Sequence, residues 1–171
     1  VNILDFNGNS PLHYAILEKN MNLINYILNN FDIEYKISDI YGNTLLHSYL
    51  DQNFRLNNDL STDKKFQNLL TLIENSNLNT PNNNNLTCLH LLVENYLWDN
   101  EIIFEKLKKK ILNIFISDFN NETVYDKILN KEKLINLVSE SYFYNLKKYS
   151  DKLFLPWEKN CSKNLKVSDK E

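Results

Sequence analysis

A nine-residue motif recurs four times along this chain of 171 residues. Its two closest copies are residues 5–13, Asp-Phe-Asn-Gly-Asn-Ser-Pro-Leu-His, and residues 39–47, Asp-Ile-Tyr-Gly-Asn-Thr-Leu-Leu-His, which start 34 residues apart. A looser copy covers residues 82–90 and a more divergent copy covers residues 118–126. A period of about 33 residues predicts a stack of similar units, because a single unit of that length cannot bury its own apolar side.

Each position of the motif has a local role that its residue type explains. Asp39 begins a tight turn, since its short carboxylate accepts hydrogen bonds from backbone amides two residues on. Gly42 supplies a backbone conformation with positive φ, and Asn85 takes the same position in the third copy because Asn tolerates that conformation. Thr44 stands where a helix N-cap is needed. We expect His47 to hydrogen-bond to the backbone of the neighbouring turn.

The motif resembles the ankyrin repeat, whose core, Asp-x-x-Gly-x-Thr-Pro-Leu-His, precedes a pair of helices. The resemblance implies an all-α fold, an ankyrin-repeat solenoid of about four helix-turn-helix repeats with insertions and a C-terminal capping segment. We place the repeats at about 5–38, 39–81, 82–117 and 118–140, with a capping helix that completes a domain over 1–150. Residues 151–171 then form a C-terminal tail.

Apolar residues at helical spacing predict two helices in each repeat. The predicted pairs are 11–19 and 21–29, 45–51 and 62–74, 87–96 and 101–114, and 123–129 and 131–139, with an aromatic segment after 139 continuing the last helix. The greater length of the second repeat predicts an insertion at 52–65, and a second insertion is expected at 97–100. We expect Lys108, Lys109 and Lys110 on the solvated face of the sixth helix.

Composition and charge argue against several classes of function. Two glycines in the whole chain nearly exclude a phosphate-binding loop. A formal net charge of −3 gives no electrostatic reason for direct binding to nucleic acid or to an anionic membrane. No apolar run reaches the ~20 residues of a membrane span, and no signal peptide is visible. Cys88 at a core position, with Cys161 as the only other cysteine, favours a reducing compartment, the cytoplasm or the nucleus.

The three histidines offer no catalytic or metal-binding arrangement. His13, His47 and His90 occupy the same position of three successive repeats, so we expect them roughly 10 Å apart, the spacing of packed helices. Zinc needs ligands at ~2 Å, which residues so spaced cannot provide together. We therefore expect no catalytic residue, no metal, no cofactor and no small-molecule substrate.

The resemblance implies a protein-protein interaction module, because ankyrin stacks bind partners through their turn tips and the exposed side of each first helix. The partner-binding residues so predicted are Phe6, Asn7, Asn9, Glu18, Ile40, Tyr41, Asn43, Asp51, Asn83, Asn84, Glu94, Phe119 and Asn120, with Leu17, Gln52, Leu86, Asn95 and Glu122 at neighbouring sites. Large apolar side chains among them, such as Tyr41 and Phe119, either anchor a partner or pack along neighbouring turns.

Two alternative functions stay open at this point. One is a permanently docked regulatory or architectural subunit of a larger assembly. The other is a ubiquitin-ligase adaptor, since residues 155–158, Leu-Pro-Trp-Glu, are similar to the start of the F-box-like segment of poxvirus ankyrin proteins. Polar residues follow where that segment needs apolar ones, so Leu153, Phe154, Leu155 and Trp157 alternatively pack as a closing strap on the last repeat. The expanded second repeat is also similar to the inserted ankyrin repeats of fungal cell-cycle transcription cofactors.

Overall fold

A computed structural model describes residues 1–54 and 63–150 of the chain, without the side chains of 147–150. Residues 55–62 of the predicted insertion, the tail with Cys161, and the tetrapeptide at 155–158 lie outside the described residues. The described part of the chain contains eight helices and no strand longer than an isolated bridge, so the all-α prediction is confirmed. They are α1 Pro11–Leu17, α2 Met21–Asn30, α3 Leu45–Phe54, α4 Asp63–Asn75, α5 Cys88–Glu94, α6 Glu101–Leu107, α7 Val124–Lys127 and α8 Lys131–Ser150.

The four motif copies form four equivalent turns. In the second, Oδ1 of Asp39 accepts hydrogen bonds from the backbone amides of Tyr41 at 2.9 Å and Asn43 at 2.8 Å. Asp5, Asn82 and Asp118 make the same pair of bonds in their own turns. The left-handed position of each turn holds Gly8, Gly42, Asn85 or Asn121, with φ between 57° and 75°. The predicted roles of the aspartate and of glycine or asparagine are therefore confirmed.

Each turn leads directly into a capped helix. The side chain of Thr87 accepts a hydrogen bond from the backbone amide of His90, while the His90 ring accepts one from the Thr87 amide. The same reciprocal capping box begins α1 and α7, where His13 and Asp126 take the place of His90. This arrangement satisfies two helix amides that have no partner within the helix, which is why a polar residue recurs there.

Backbone hydrogen bonds join each turn to the next. The amide of Ile40 donates to the carbonyl of Asn7 at 2.9 Å, and the amide of Asn83 donates to the carbonyl of Tyr41 at 2.9 Å. The amide of Phe119 donates to the carbonyl of Asn84 at 3.0 Å. These bonds link equivalent positions, so they fix the register of one repeat against its neighbour.

The helices pack in two layers around a continuous core. In one layer α1 contacts α3, α3 contacts α5 and α5 contacts α7, and in the other α2, α4, α6 and α8 contact one another in sequence. Tyr49 of α3 is fully buried, and its hydroxyl donates to the carbonyl of Lys65 in α4 at 2.8 Å. The remaining core side chains are mostly leucine and isoleucine, including Leu12, Ile16, Ile24, Leu46, Leu50, Leu69, Ile73, Leu89, Leu92, Ile103 and Leu137.

The predicted sixth helix is too long. Helix α6 ends at Leu107, and the three lysines thought to lie on a solvated helix face are in the turn that follows. Lys108 there pairs with Glu105 and Glu140, each at 2.7 Å, and Lys110 donates to the carbonyl of Ser76 at 3.1 Å. The side chains of Lys108 and Lys110 thus contact α8 and the segment after α4, where the chain turns back toward the next motif.

The helices near the C-terminus also differ from the prediction. Helix α7 has four residues, because Ile128 is extended with ψ of 127° and buries its side chain. Asn130 then accepts a hydrogen bond from the amide of Lys133 at 3.1 Å, which caps a new helix. As predicted, the aromatic segment continues α8, although Tyr142 and Phe143 are exposed on it.

Substitution of Gly42 tests the turn geometry. A Cβ at Gly42 would lie 2.8 Å from Oδ1 and 3.1 Å from the backbone nitrogen of Asn83, at a φ of 75°. We expect Gly42→Ala to lower the free energy of unfolding by about 1–3 kcal/mol in urea denaturation, since both strain and crowding oppose the side chain. Asn85→Gly is the control, with an expected change below about 1 kcal/mol. Equal stability of Gly42→Ala and the native chain would contradict this account.

Candidate partner-binding site

Two adjoining clefts lie between the turn tips and the first helices. The first has a volume of about 620 Å³ and the second about 320 Å³. Asn84, Leu86 and Glu94 line both, so the clefts form one depression, which we call the concave groove. The other lining residues are Asn9, Leu17, Asp39, Tyr41, Asn43, His47, Ser48, Asp51, Gln52, Asn82, Asn83, Leu91, Asn95, Asp118, Phe119, Asn120 and Lys127.

The structure brings most of the predicted contact residues into this groove and leaves four outside its lining. Phe6, Asn7, Glu18 and Ile40 are exposed but line neither cleft. Those inside are Asn9, Tyr41, Asn43, Asp51, Asn83, Asn84, Glu94, Phe119 and Asn120. The groove also includes residues that the sequence prediction omitted, chiefly Asp118 and Lys127. The repeat position of Asp118 was visible in the sequence, whereas Lys127 carried no signal of its own.

Exposed aromatic rings border the groove. Tyr41 is 64% exposed beside the first cleft and Phe119 is 79% exposed beside the second. Their backbone groups are held by the turn-to-turn hydrogen bonds, so the backbone that carries each ring is fixed in position. The possibility that these two rings are buried against neighbouring turns is therefore not realised, and both are available to solvent.

One lysine joins the fourth repeat to the third. The ammonium group of Lys127 lies 2.6 Å from Glu94, 2.7 Å from Asp118 and 3.6 Å from Glu122. Burial by itself lowers the pKa of Lys127. Its bonds to Asp118 and Glu94 raise the pKa by a larger amount, so the net shift is upward. Burial raises the pKa of Asp118. The bond from Lys127, together with bonds from two backbone amides, lowers that pKa by a larger amount. Lys127 and Asp118 are therefore both charged at neutral pH.

A chain of side-chain amides forms a separate polar contact between the second and third repeats. Asn82 donates from Nδ2 to Oδ1 of Asn43 at 2.8 Å, and Asn43 donates from Nδ2 to Oδ2 of Asp39 at 3.2 Å. Asn83 donates from Nδ2 to the carbonyl of Ile40 at 3.1 Å. The floor of the groove between these repeats is thus held by side chains as well as by the backbone.

His47 lines the groove, but both of its ring nitrogens are used structurally. Nδ1 accepts the amide of Thr44 at 3.2 Å, so the ring proton resides on Nε2, which donates to the Leu86 carbonyl at 3.0 Å. This confirms the predicted bond to the neighbouring turn. Burial lowers the pKa of His47 to about 4.

The other two histidines are also buried, with lowered pKa values, but differ in one contact. Burial is the main cause of the lowered pKa of His13 and of His90. The backbone carbonyls of Asn43 and Glu122 counter that effect in part. Nε2 of His13 and of His90 forms no hydrogen bond within the usual distance and angle limits among the described residues. Asn43 and Glu122 hold the same motif position as Leu86, so the tie formed at His47 is repeated in a weaker form at His13 and His90.

The described residues contain neither a cluster of potential metal ligands nor a helix suited to span a membrane. Across 1–54 and 63–150, no three His, Cys, Asp or Glu side chains are grouped so that they could hold a metal ion. In the same part of the chain, no helix combines the length and the apolar character that crossing a membrane requires.

Comparison with known proteins agrees with this architecture. The family model described as ankyrin repeat matches residues 7–37. A protein of Acanthamoeba polyphaga mimivirus that is named for ankyrin repeats is 32% identical over 175 residues, which cover 92% of this chain and 23% of that protein. The present chain therefore spans less than a quarter of the length of that viral relative.

The stacked turns and paired helices define the molecule as an α-helical repeat solenoid. Together with the matched family model and the viral relative, they show that the chain belongs to the ankyrin-repeat family.

The low pKa of His47 makes stability dependent on pH. An unfolded histidine has a pKa near 6.5, so between about pH 6.5 and pH 4 the unfolded state binds the proton that the folded state excludes. We expect this group to remove about 3 kcal/mol from the free energy of unfolding across that window as pH falls. The test is urea denaturation at several pH values on the native chain and on His47→Gln, whose side chain caps without titrating.

The difference between these two proteins should shrink as pH falls from 6.5 to 4. Parallel stability curves over this range would contradict the assignment of a low pKa to His47.

Loss of Lys127 should weaken the attachment of the fourth repeat. Lys127→Met leaves the buried carboxylate of Asp118 without its cation, so we expect the free energy of unfolding to fall by about 2–4 kcal/mol. The matched control is Lys106→Met, because Lys106 pairs at 2.8 Å with the exposed Glu74. An exposed pair contributes at most about 1 kcal/mol. Equal losses in the two variants, measured by chemical denaturation, would show that the three-carboxylate contact stabilises the fold no more than an exposed ion pair does.

Proposed function

We propose that this chain is a non-catalytic protein-protein interaction module that binds a protein partner through its turn tips and concave groove. Ankyrin repeats generally act as protein-protein interaction modules, and this chain belongs to that family. The observation that carries the proposal is the concave groove itself, which crosses the repeats and is bordered by the exposed rings of Tyr41 and Phe119.

The construction of the groove suits binding to another protein. Aromatic side chains that stand beside a fixed polar floor are typical of the residues that dominate interface energies. The turn tips are held by backbone bonds from Ile40, Asn83 and Phe119 to the preceding turn. A surface held in this way loses little conformational entropy when a partner binds, and that saving appears as affinity.

The reactive side chains near the groove are unsuited to catalysis. His47 is neutral at physiological pH, and both of its nitrogens are already hydrogen-bonded. Cys88 is fully buried, and burial raises the pKa of its thiol to about 12. A general base needs a free nitrogen and a nucleophile needs a thiolate, so neither residue supports such a role. Binding is therefore the function that the groove supports best.

This chain corresponds to only part of its mimivirus relative, and we propose that it acts there as the recognition module. Because the chain spans less than a quarter of its mimivirus relative, that relative has room for further repeats or domains beside the matched region. We propose that the concave groove selects the partner, while any further activity of a longer protein resides in other segments.

Removal of the two groove rings tests the proposal. We expect Tyr41→Ala combined with Phe119→Ala to reduce partner recovery in affinity purification with mass spectrometry by at least about tenfold, since loss of two anchors costs several kcal/mol. The matched control is Tyr142→Ala with Phe143→Ala, which removes two rings of 62% and 68% exposure from α8. Melting temperatures should stay within a few degrees for both variants, because all four rings are exposed.

If the groove variant recovers the same partners as the native chain, the concave groove is not the binding surface. If it melts far below the control variant, the two rings serve stability instead.

A further inference from the structure

Charge is unevenly distributed along the concave groove. Its described lining contains four carboxylate side chains, Asp39, Asp51, Glu94 and Asp118, and a single ammonium group, that of Lys127. That ammonium group also serves Glu122 at 3.6 Å, outside the lining. The first cleft contributes the carboxylates of Asp39 and Glu94 to this excess of negative charge.

The contacts of Lys127 do not neutralise this excess of negative charge. Lys127 faces three carboxylates, Glu94, Asp118 and Glu122, so the cluster keeps a net negative charge. Glu94 and Glu122 remain 40% and 57% exposed at their side chains, which places the excess charge at the surface. A concave surface of one sign concentrates ligands of the other sign and speeds their association.

The aromatic rings provide an independent indication of the same ligand chemistry. Phe119 stands in the second cleft with Asp118 and Glu94, and Tyr41 stands in the first cleft with Asp39. A ring face beside a carboxylate suits a guanidinium or ammonium group, which stacks on the ring while it pairs with the acid. Each cleft therefore combines the two features that bind a cationic side chain.

We propose that the partner binds to the concave groove through an extended segment that carries at least two arginine or lysine side chains. One cationic side chain occupies the first cleft beside Tyr41, and another occupies the second cleft beside Phe119. This inference rests on the proposed function, because it names the chemistry of the partner for the same groove. The continuity of the two clefts through Asn84 and Glu94 fits an extended segment that crosses from one repeat to the next.

Selection from a random library of 12-residue peptides displayed on phage tests the proposal, with the purified chain as bait. We expect the selected peptides to be enriched in arginine and lysine. Synthetic copies of them should bind at least about tenfold more weakly to the double variant Glu94→Gln with Glu122→Gln at low salt. They should also lose affinity for the native chain as salt rises, since screening weakens exposed charge pairs.

The chain offers a closely matched control. Glu105 and Glu140 are exposed carboxylates that share Lys108, each at 2.7 Å, and neither lines the groove. Glu105→Gln with Glu140→Gln removes the same charge from a similar shared contact, so the selected peptides should bind this variant within about twofold of the native chain. Circular dichroism and thermal melting show whether both double variants remain folded.

The outcomes distinguish failure of the cationic partner from failure of the groove as a binding site. Selected peptides that lack basic enrichment, or that bind Glu94→Gln with Glu122→Gln as tightly as the native chain, overturn the cationic partner. If those peptides still lose binding to Tyr41→Ala with Phe119→Ala, the groove remains the binding site. Peptides that are insensitive to both groove variants, or a selection without any binder, overturn the proposed function as well.

Discussion

The structure depends on the backbone hydrogen bond that passes from each turn to the next. The bond from Ile40 to Asn7 is one of three equivalent bonds of 2.9–3.0 Å that set the register between repeats. These bonds require each turn to present its amide and its carbonyl in opposite directions, which a left-handed residue such as Gly42 allows. The helices that follow can then pack side by side, because their starting points are already aligned.

The same register creates the concave groove. Since equivalent positions of successive turns stand beside one another, side chains distant in sequence, such as Tyr41 and Asn84, line one cleft. The capping histidines lie beneath this surface, where burial lowers their pKa values and keeps their rings neutral. Stability and the proposed recognition therefore use different atoms of one motif. The capping groups hold the framework, and the tips and exposed helix sides remain accessible to solvent.

Local chemistry explains which elements the sequence predicted well. The turns, the N-caps and the starts of α1, α2 and α3 depend on residues within a few positions of one another, so the local sequence specified them. The end of α6 and the short α7 were predicted wrongly, because helical periodicity does not reveal the tertiary environment of the residues at their ends. Lys108 binds to Glu140 on α8, which lies 32 residues further along the chain. The buried side chain of Ile128 fixes an extended backbone that helical periodicity alone does not reveal.

The sequence by itself determined the repeating unit, the family and the surface on which a partner is expected, because all three follow from a motif that recurs with the same local geometry. Only the tertiary structure decided which of the predicted contact residues share the concave groove. It placed Tyr41 and Phe119 along that groove and left Phe6 and Ile40 outside its lining. It also brought Lys127 to three carboxylates from two repeats. The reason is physical, since the position of a side chain in a groove depends on how neighbouring repeats stack, and no single repeat contains that information.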